Sequence, residues 1–270
     1  MTPHLYVDDP KDARYAAELL RSGAPIAQAF GNFYAITARG DAASVGRINV
    51  MKGRPVDQVG SVTLPRSRQS TIFDWSALPD GLSREQLEAV FDAFFELGPF
   101  GFRGPASERV GDHLASLDGG VRTTQLIAPG YACPSTEFLE HAAAAAGDDL
   151  LYVTSANRSR HLTGADDTPA HWQAKALCAE FASAGSLVLL GHPDETAARQ
   201  RYPRHLPMST TILAFHRTER LNGRVCLSLE RHGSLHLDDV AVLLAQFDLG
   251  LVLGPRARSR LTLRTYPEVA

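Results

Sequence analysis

The residues of this chain whose types and spacing can do chemistry are cations and small polar groups at the ends of short apolar segments. Lys52 and Arg54 stand two apart in Lys52-Gly53-Arg54-Pro55. In an extended loop that spacing points both side chains the same way, so an ammonium and a guanidinium can bind phosphate oxygens together; the alternative is a solvated basic loop. Ser155 and Asn157 repeat the spacing. A hydroxyl and a carboxamide after a strand either bind phosphate, ribose or base, or form a turn or cap. Ser209, Thr210 and Thr211 can donate to phosphate or serve as strand-edge residues. Arg231 with Gly233 offers one more phosphate contact.

Other chemistries have no residues to carry them. The chain has no G-x-x-x-x-G-K-[ST] phosphate loop, no G-x-S-x-G elbow and no H-E-x-x-H zinc helix. Gly98, Gly101 and Gly104 follow a predicted helix rather than a strand and depart from the dinucleotide fingerprint, so they read as a turn. The ten histidines place no pair four apart on a plausible helical face. Cys133, Cys178 and Cys226 are far apart with no C-x-x-C. Neither a protein-built metal site nor a disulfide framework is expected. A formal charge of -3, from 27 Lys and Arg against 30 Asp and Glu, excludes a global basic field but not a local cationic cleft.

The elements that must position these groups alternate between helix and strand, the pattern of an α/β protein. Helices are predicted from Asp12 to Arg21, over a segment ending at Met51, after Ser83 with Gln86 as a capping pair, from Ser135 to Gly147, from Thr168 and Pro169, and from Asp238 to Phe247. Strands are predicted at Phe33 to Thr37, Val59 to Leu64, Thr123 to Ala128, Leu150 to Thr154, Ser186 to Leu190, Thr210 to Phe215 and Arg224 to Glu230. Lys52 and Arg54 then fall in a loop, and Ser155 at a strand end, where α/β sheets hold ligands. No repeat or long linker divides the chain, so residues 236–270 are expected to pack on residues 1–235; the arginines at 256, 258, 260 and 264 read as a disordered basic tail. The N-terminus is acidic where a secretion signal carries cations. The apolar stretch from Val240 to Leu253 is broken by Gln246, Asp248 and Gly250. A cytoplasmic protein with no membrane segment is the expectation.

In order and together, these groups resemble the YrdC-like family, whose best-known members are threonylcarbamoyl-AMP synthases. The resemblance runs from Ala13 to Leu235: a helix ending at Gly23, a tyrosine strand at Tyr34, K-G-R-P at Lys52 to Pro55, S-A-N at Ser155 to Asn157, an S-T segment at Ser209, and R-x-G at Arg231 to Gly233. It implies a twisted mixed sheet with flanking helices around a cationic cavity. It further implies an ATP-dependent nucleotidyltransferase that uses ATP, Mg²⁺, bicarbonate and L-threonine to make threonylcarbamoyl-AMP for tRNA threonylcarbamoyladenosine. By resemblance Lys52 and Arg54 are the catalytic cations, Ser155, Asn157, Ser209 and Arg231 bind nucleotide, and Asn32 and Tyr34 meet the amino acid; no resident metal is implied.

The chain departs from the family's pattern chiefly on the amino-acid side. P-T-[DE]-T becomes Ala29-Phe30-Gly31-Asn32, P-G-P-x-T becomes Leu97-Gly98-Pro99-Phe100-Gly101, R-x-P becomes Ile127-Ala128-Pro129, and the glycine closing S-A-N-x-S-G is Arg160. These changes leave two alternatives beside the synthase: a paralogue with a different acceptor, and a non-catalytic module binding nucleotide or double-stranded RNA.

Overall fold

The computed structural model describes residues 4–147, 150–159, 169–184 and 187–266. Thr168, Ser186 and Arg160 lie outside them. Helix α1 (Pro10–Arg21) starts where the carboxylate of Asp9 accepts from the Lys11 amide and Pro10 supplies the first helical φ. Its buried positions, Ala13, Ala16, Ala17 and Leu20, recur at helical spacing and lie against α4 (Ser135–Ala146). Helix α3 (Arg84–Leu97) is capped by Ser83, whose hydroxyl accepts from the Gln86 amide, a contact of about 1 kcal/mol. The Gln86 side chain donates not back to the cap but 3.0 Å to the Phe247 carbonyl, tying α3 to the C-terminal region.

The strands are β1 (His4–Tyr6), β2 (Ile26–Phe30), β3 (Phe33–Arg39), β4 (Ser61–Thr63), β5 (Phe100–Pro105), β6 (Ala115–Asp118), β7 (Val121–Ala128), β8 (Leu151–Ser155), β9 (Val188–Gly191), β10 (Thr211–Leu221), β11 (Arg224–Arg231) and β12 (Gly250–Leu253). They form one mixed sheet in the order β1-β9-β2-β3-β8-β4-β7-β5-β10-β11-β12, with β6 beside β7. The expected mixed sheet with flanking helices is therefore the observed one. Alternation along each strand separates two faces. Tyr34 and Ile36 of β3, Phe100 and Phe102 of β5, and Leu126 and Ala128 of β7 enter the large core with α3. Phe33 and Ala35, and Ile127 of β7, belong to a second, smaller cluster with Phe30, Val153 and Ile212. On the core side Phe102 lies 4.1 Å from Phe91 and Phe100 4.2 Å from Phe94, centroid to centroid.

Four expectations are corrected. Helix α2 (Ala42–Lys52) runs one residue further, so Lys52 is helical, and Gly53 ends the helix at φ 75°. Lys52 and Arg54 thus flank a left-handed cap instead of sharing an extended loop. Gly98 precedes β5 and Gly101 and Gly104 lie within it: an added Cβ on Gly104 would sit 1.9 Å from Phe215 Cζ, so the glycines make room for close packing rather than a turn. Pro169 does not open a helix; α5 (Ala174–Glu180) starts later, because the intervening backbone is extended and bonds to β3 through the Tyr34 amide and His171 carbonyl.

The C-terminal arginines are ordered, the fourth correction. After α6 (Glu195–Arg201), β10 and β11 the chain forms α7 (Leu237–Ala245), and β12 then adds parallel to β11. The chain then turns through a short helical turn, Pro255–Ala257, where Ala257 is fully buried. Arg260 donates to the carbonyls of Gly233 and Ser234. Arg264 meets Glu180 at 3.0 Å and the Pro169 carbonyl at 2.7 Å. Backbone carbonyls and one carboxylate thus fix what charge repulsion alone would leave in water. Among the described residues no helix is long and apolar enough to cross a membrane.

Candidate active site

A cavity of about 490 Å³ opens on the face opposite the aromatic core. Phe30, Phe33, Ala35, Ile127 and Val153 form an apolar part, and Ser61, Ser116, Thr123 and Gln125 a polar one. Arg54, Arg103, Arg231 and Arg256 line it, and among the described residues no aspartate or glutamate does. Burial and charge divide these arginines into two kinds.

Arg103 is neutralised. Its guanidinium meets Glu230 at 3.3 Å and Asp118 at 3.7 Å and donates to Ser116 and Thr123. Arg217 binds the same two carboxylates at 2.9 and 3.0 Å. His216 completes the cluster, and the ligand atoms of Asp118, His216 and Glu230 lie within 4.8 Å of one another. That proximity is what a cation needs, but two guanidiniums already fill the role. Burial raises the Asp118 pKa, yet the His216 hydrogen bond and the charges of Arg217 and Arg103 outweigh it and hold the carboxyl below its usual range.

Arg54 and Arg231 have no carboxylate partner among the described residues. Arg54 Nη1 donates 2.9 Å to Thr154 Oγ1, while its buried Nε has no partner. Arg231 donates to the carbonyl and hydroxyl of Thr210 at 2.7 and 2.8 Å. Burial first, then the charges of Arg54 and Arg256, lowers the Arg231 guanidinium to about 10. It stays protonated at neutral pH, so like charges crowd one wall of an open cavity. A bound anion would relieve that repulsion.

The remaining sequence-predicted residues divide between the cavity and its supports. Ser155 and Ser209 line the cavity. Lys52, with no exposed surface, does not: its ammonium donates to the Ser155 carbonyl, fastening the end of α2 to the end of β8. Asn157 is buried in a bend, where its carboxamide oxygen accepts from the Ser155 hydroxyl and its nitrogen donates to the Arg158 carbonyl. Alternation turns Tyr34 away from the cavity; its hydroxyl donates to Glu195 at 3.0 Å and accepts from the His192 amide. Asn32, in the β2–β3 turn, donates 2.8 Å to the His205 carbonyl. The structure therefore brings Arg54, Ser155, Ser209 and Arg231 together and places Lys52, Asn157, Asn32 and Tyr34 outside the lining.

Arg103 and Arg256 were not legible as site residues. For Arg103 a signal existed, since alternation in Phe100-Gly101-Phe102-Arg103 sends both aromatics to one face and arginine to the other. Arg256 had none.

No protein-family model and no curated protein matches the sequence. Solved structures do match its fold, Sua5- and YrdC-family proteins among them. Sua5 from P. abyssi, complexed with L-threonine, superposes with TM-score 0.62 at 19% identity, covering 89% of this chain and 59% of that one. The hypothetical protein smu.1377c from Streptococcus mutans gives TM-score 0.65 at 16% identity over 94% of this chain and 99% of that one. Full-length HypF in its phosphate- and nucleotide-bound form gives 0.52 at 13% identity, covering 82% of this chain and 28% of that one. The chain thus spans little more than half the length of that Sua5 chain.

Proposed function

We propose that this chain is an ATP-dependent enzyme that makes a carbamoyl-type adenylate, with L-threonylcarbamoyl-AMP as the default product. The observation that carries the reading is the pair Arg54 and Arg231, facing one cavity beside Ser155 and Ser209 with no carboxylate lining it among the described residues. The chemistry asks for such a wall. An amine adds to CO₂ drawn from bicarbonate and loses a proton, giving a carbamate. A carbamate oxygen then attacks the α-phosphorus as the bond to pyrophosphate breaks. Charge accumulates on pyrophosphate, so fixed cations lower the barrier and no side-chain nucleophile is needed. Mg²⁺ enters with the triphosphate as part of the substrate.

The fold neighbours support nucleotide and amino-acid chemistry, because one is complexed with L-threonine and another holds phosphate and nucleotide. In this reading Lys52 and Asn157 act by fixing the β8 end that presents Ser155. The test is pyrophosphate release from ATP, Mg²⁺ and bicarbonate across a panel of amino acids with a no-acceptor control. Release that depends on L-threonine supports the default product, and release with another amine identifies a different acceptor. ATP binding with no release by any acceptor removes the enzyme reading.

One observation favours the second reading, a non-catalytic nucleotide- or RNA-binding module: the ordered C-terminal segment sets Arg256 at the cavity. Arg260 and Arg264, however, are committed to carbonyls and to Glu180. RNA held by phosphate contacts would be released steeply by salt, and a flat salt response in a binding titration would end that reading.

A further inference from the structure

The C-terminal segment does more than add an edge strand. Arg256 is exposed, lies in the turn after β12, and lines the cavity also lined by Arg54 and Arg231. Its charge lowers the proton affinity of Arg231, so the two guanidiniums feel one another across the cavity wall. Among the described residues it has no carboxylate partner. Its placement is nevertheless firm. Gly254 donates to the Leu229 carbonyl at 2.9 Å, Ala257 is fully buried, and Leu261 donates to the His232 carbonyl at 2.8 Å. Arg260 clasps the carbonyls of Gly233 and Ser234 just beyond Arg231. Packing and hydrogen bonds on both sides thus hold a third cation where electrostatics alone would expel it.

Resting on the anion-binding reading of the cavity, we propose that Arg256 is a third anion-binding arginine of the site, supplied by the C-terminal segment to the phosphate groups held by Arg54 and Arg231. Pyrophosphate and a nucleoside triphosphate carry charge on more than one group and so offer oxygens to all three. The residue is a binding residue, and its loss should leave the fold intact because the anchors are its neighbours and not its own side chain.

Calorimetric titration of the full chain with inorganic pyrophosphate and with MgATP tests this, comparing the wild type with Arg256→Ala, Arg256→Lys, and Arg258→Ala as an exposed neighbour outside the lining. Arg256→Ala should weaken both ligands about tenfold, one charge-assisted contact, with Arg256→Lys intermediate and Arg258→Ala within about twofold. Thermal unfolding without ligand should show Arg256→Ala as stable as the wild type or more so, since a repelling charge has gone. Equal binding by Arg256→Ala and Arg258→Ala, with the wild type still binding, overturns the proposal and leaves the anion cavity standing. A lower unliganded melting temperature for Arg256→Ala assigns the residue a structural role and also overturns it. Failure of the wild type to bind either probe overturns the cavity reading and the proposal together.

Discussion

Arg231 gives its Nε and Nη2 to the carbonyl and the hydroxyl of a single residue, Thr210, at 2.7 and 2.8 Å. That fork fixes the guanidinium plane without neutralising it, because neither acceptor is charged. A cation oriented by neutral oxygens and crowded by Arg54 and Arg256 is prepared for an anion before one arrives.

Arg54 is held by a single bond, from Nη1 to the Thr154 hydroxyl, again a neutral acceptor. Arg54→Ala should lower MgATP affinity, and pyrophosphate release with whichever acceptor is used, by at least tenfold, about 1.4 kcal/mol. Arg54→Lys should also lose, because an ammonium keeps the charge but cannot hold Thr154 and an anion in one plane. Titration and a steady-state assay of both variants check this, and wild-type behaviour in both would remove Arg54 from the site.

Lys52 is expected to act on stability rather than on binding contacts. Its fully buried ammonium donates to the Ser155 carbonyl, so Lys52→Ala opens a cavity and strips a buried acceptor at once. The cost should be about 2–4 kcal/mol, and Lys52→Met, which keeps the stem, should recover part of it. Denaturant unfolding measures both; stability unchanged in Lys52→Ala with activity abolished would return Lys52 to the reacting atoms.

His192 and His205 make the fold acid-sensitive. Burial, aided by Arg201 at His192 and by Arg260 and Arg204 at His205, lowers each to about 4 from an ordinary 6.5. The unfolded chain therefore binds more protons than the folded one between those values. Above pH 6.5 both are neutral folded or unfolded and add no pH dependence, and stability falls as the pH drops from 6.5 towards 4, by an order of 3 kcal/mol per histidine. Denaturation midpoints at pH 7, 6, 5 and 4 should show this slope, and His205→Leu should flatten it.

Gly104 is required by space. With Phe215 Cζ 1.9 Å from an added Cβ, Gly104→Ala pushes the Phe215 ring off its packing on Phe73 and Phe91 and should cost roughly 1–3 kcal/mol of stability. A melting temperature unchanged in that variant would mean that Phe215 has room to move.

Local signals carried much of the fold. Ser83 with Gln86, Ser135 with Gly147, and the apolar runs at Thr123 to Ala128 and Arg224 to Glu230 are legible because caps and periodicity act over a few residues. So were Arg54, Ser155, Ser209 and Arg231, since each stands at or beside the end of such an element. Lys52 and Gly53 were misjudged at an element boundary, where one extra helical residue converts an expected loop cation into a buried tether. Tyr34 was misassigned because a strand's composition does not say which of its two faces meets the cavity.

By itself, then, the sequence determined an α/β chain, most of its helices and strands, and a set of cations and hydroxyls suited to phosphate. Only the tertiary structure decided which of them share a cavity. It paired Arg103 with Glu230, more than a hundred positions away, and left Arg54 and Arg231 without a carboxylate partner among the described residues. It also carried Arg256 from a tail with no local signal to the cavity wall. The reason is physical: charge pairing and burial depend on distance in space, and that is set by sheet order, which no segment of a dozen residues contains.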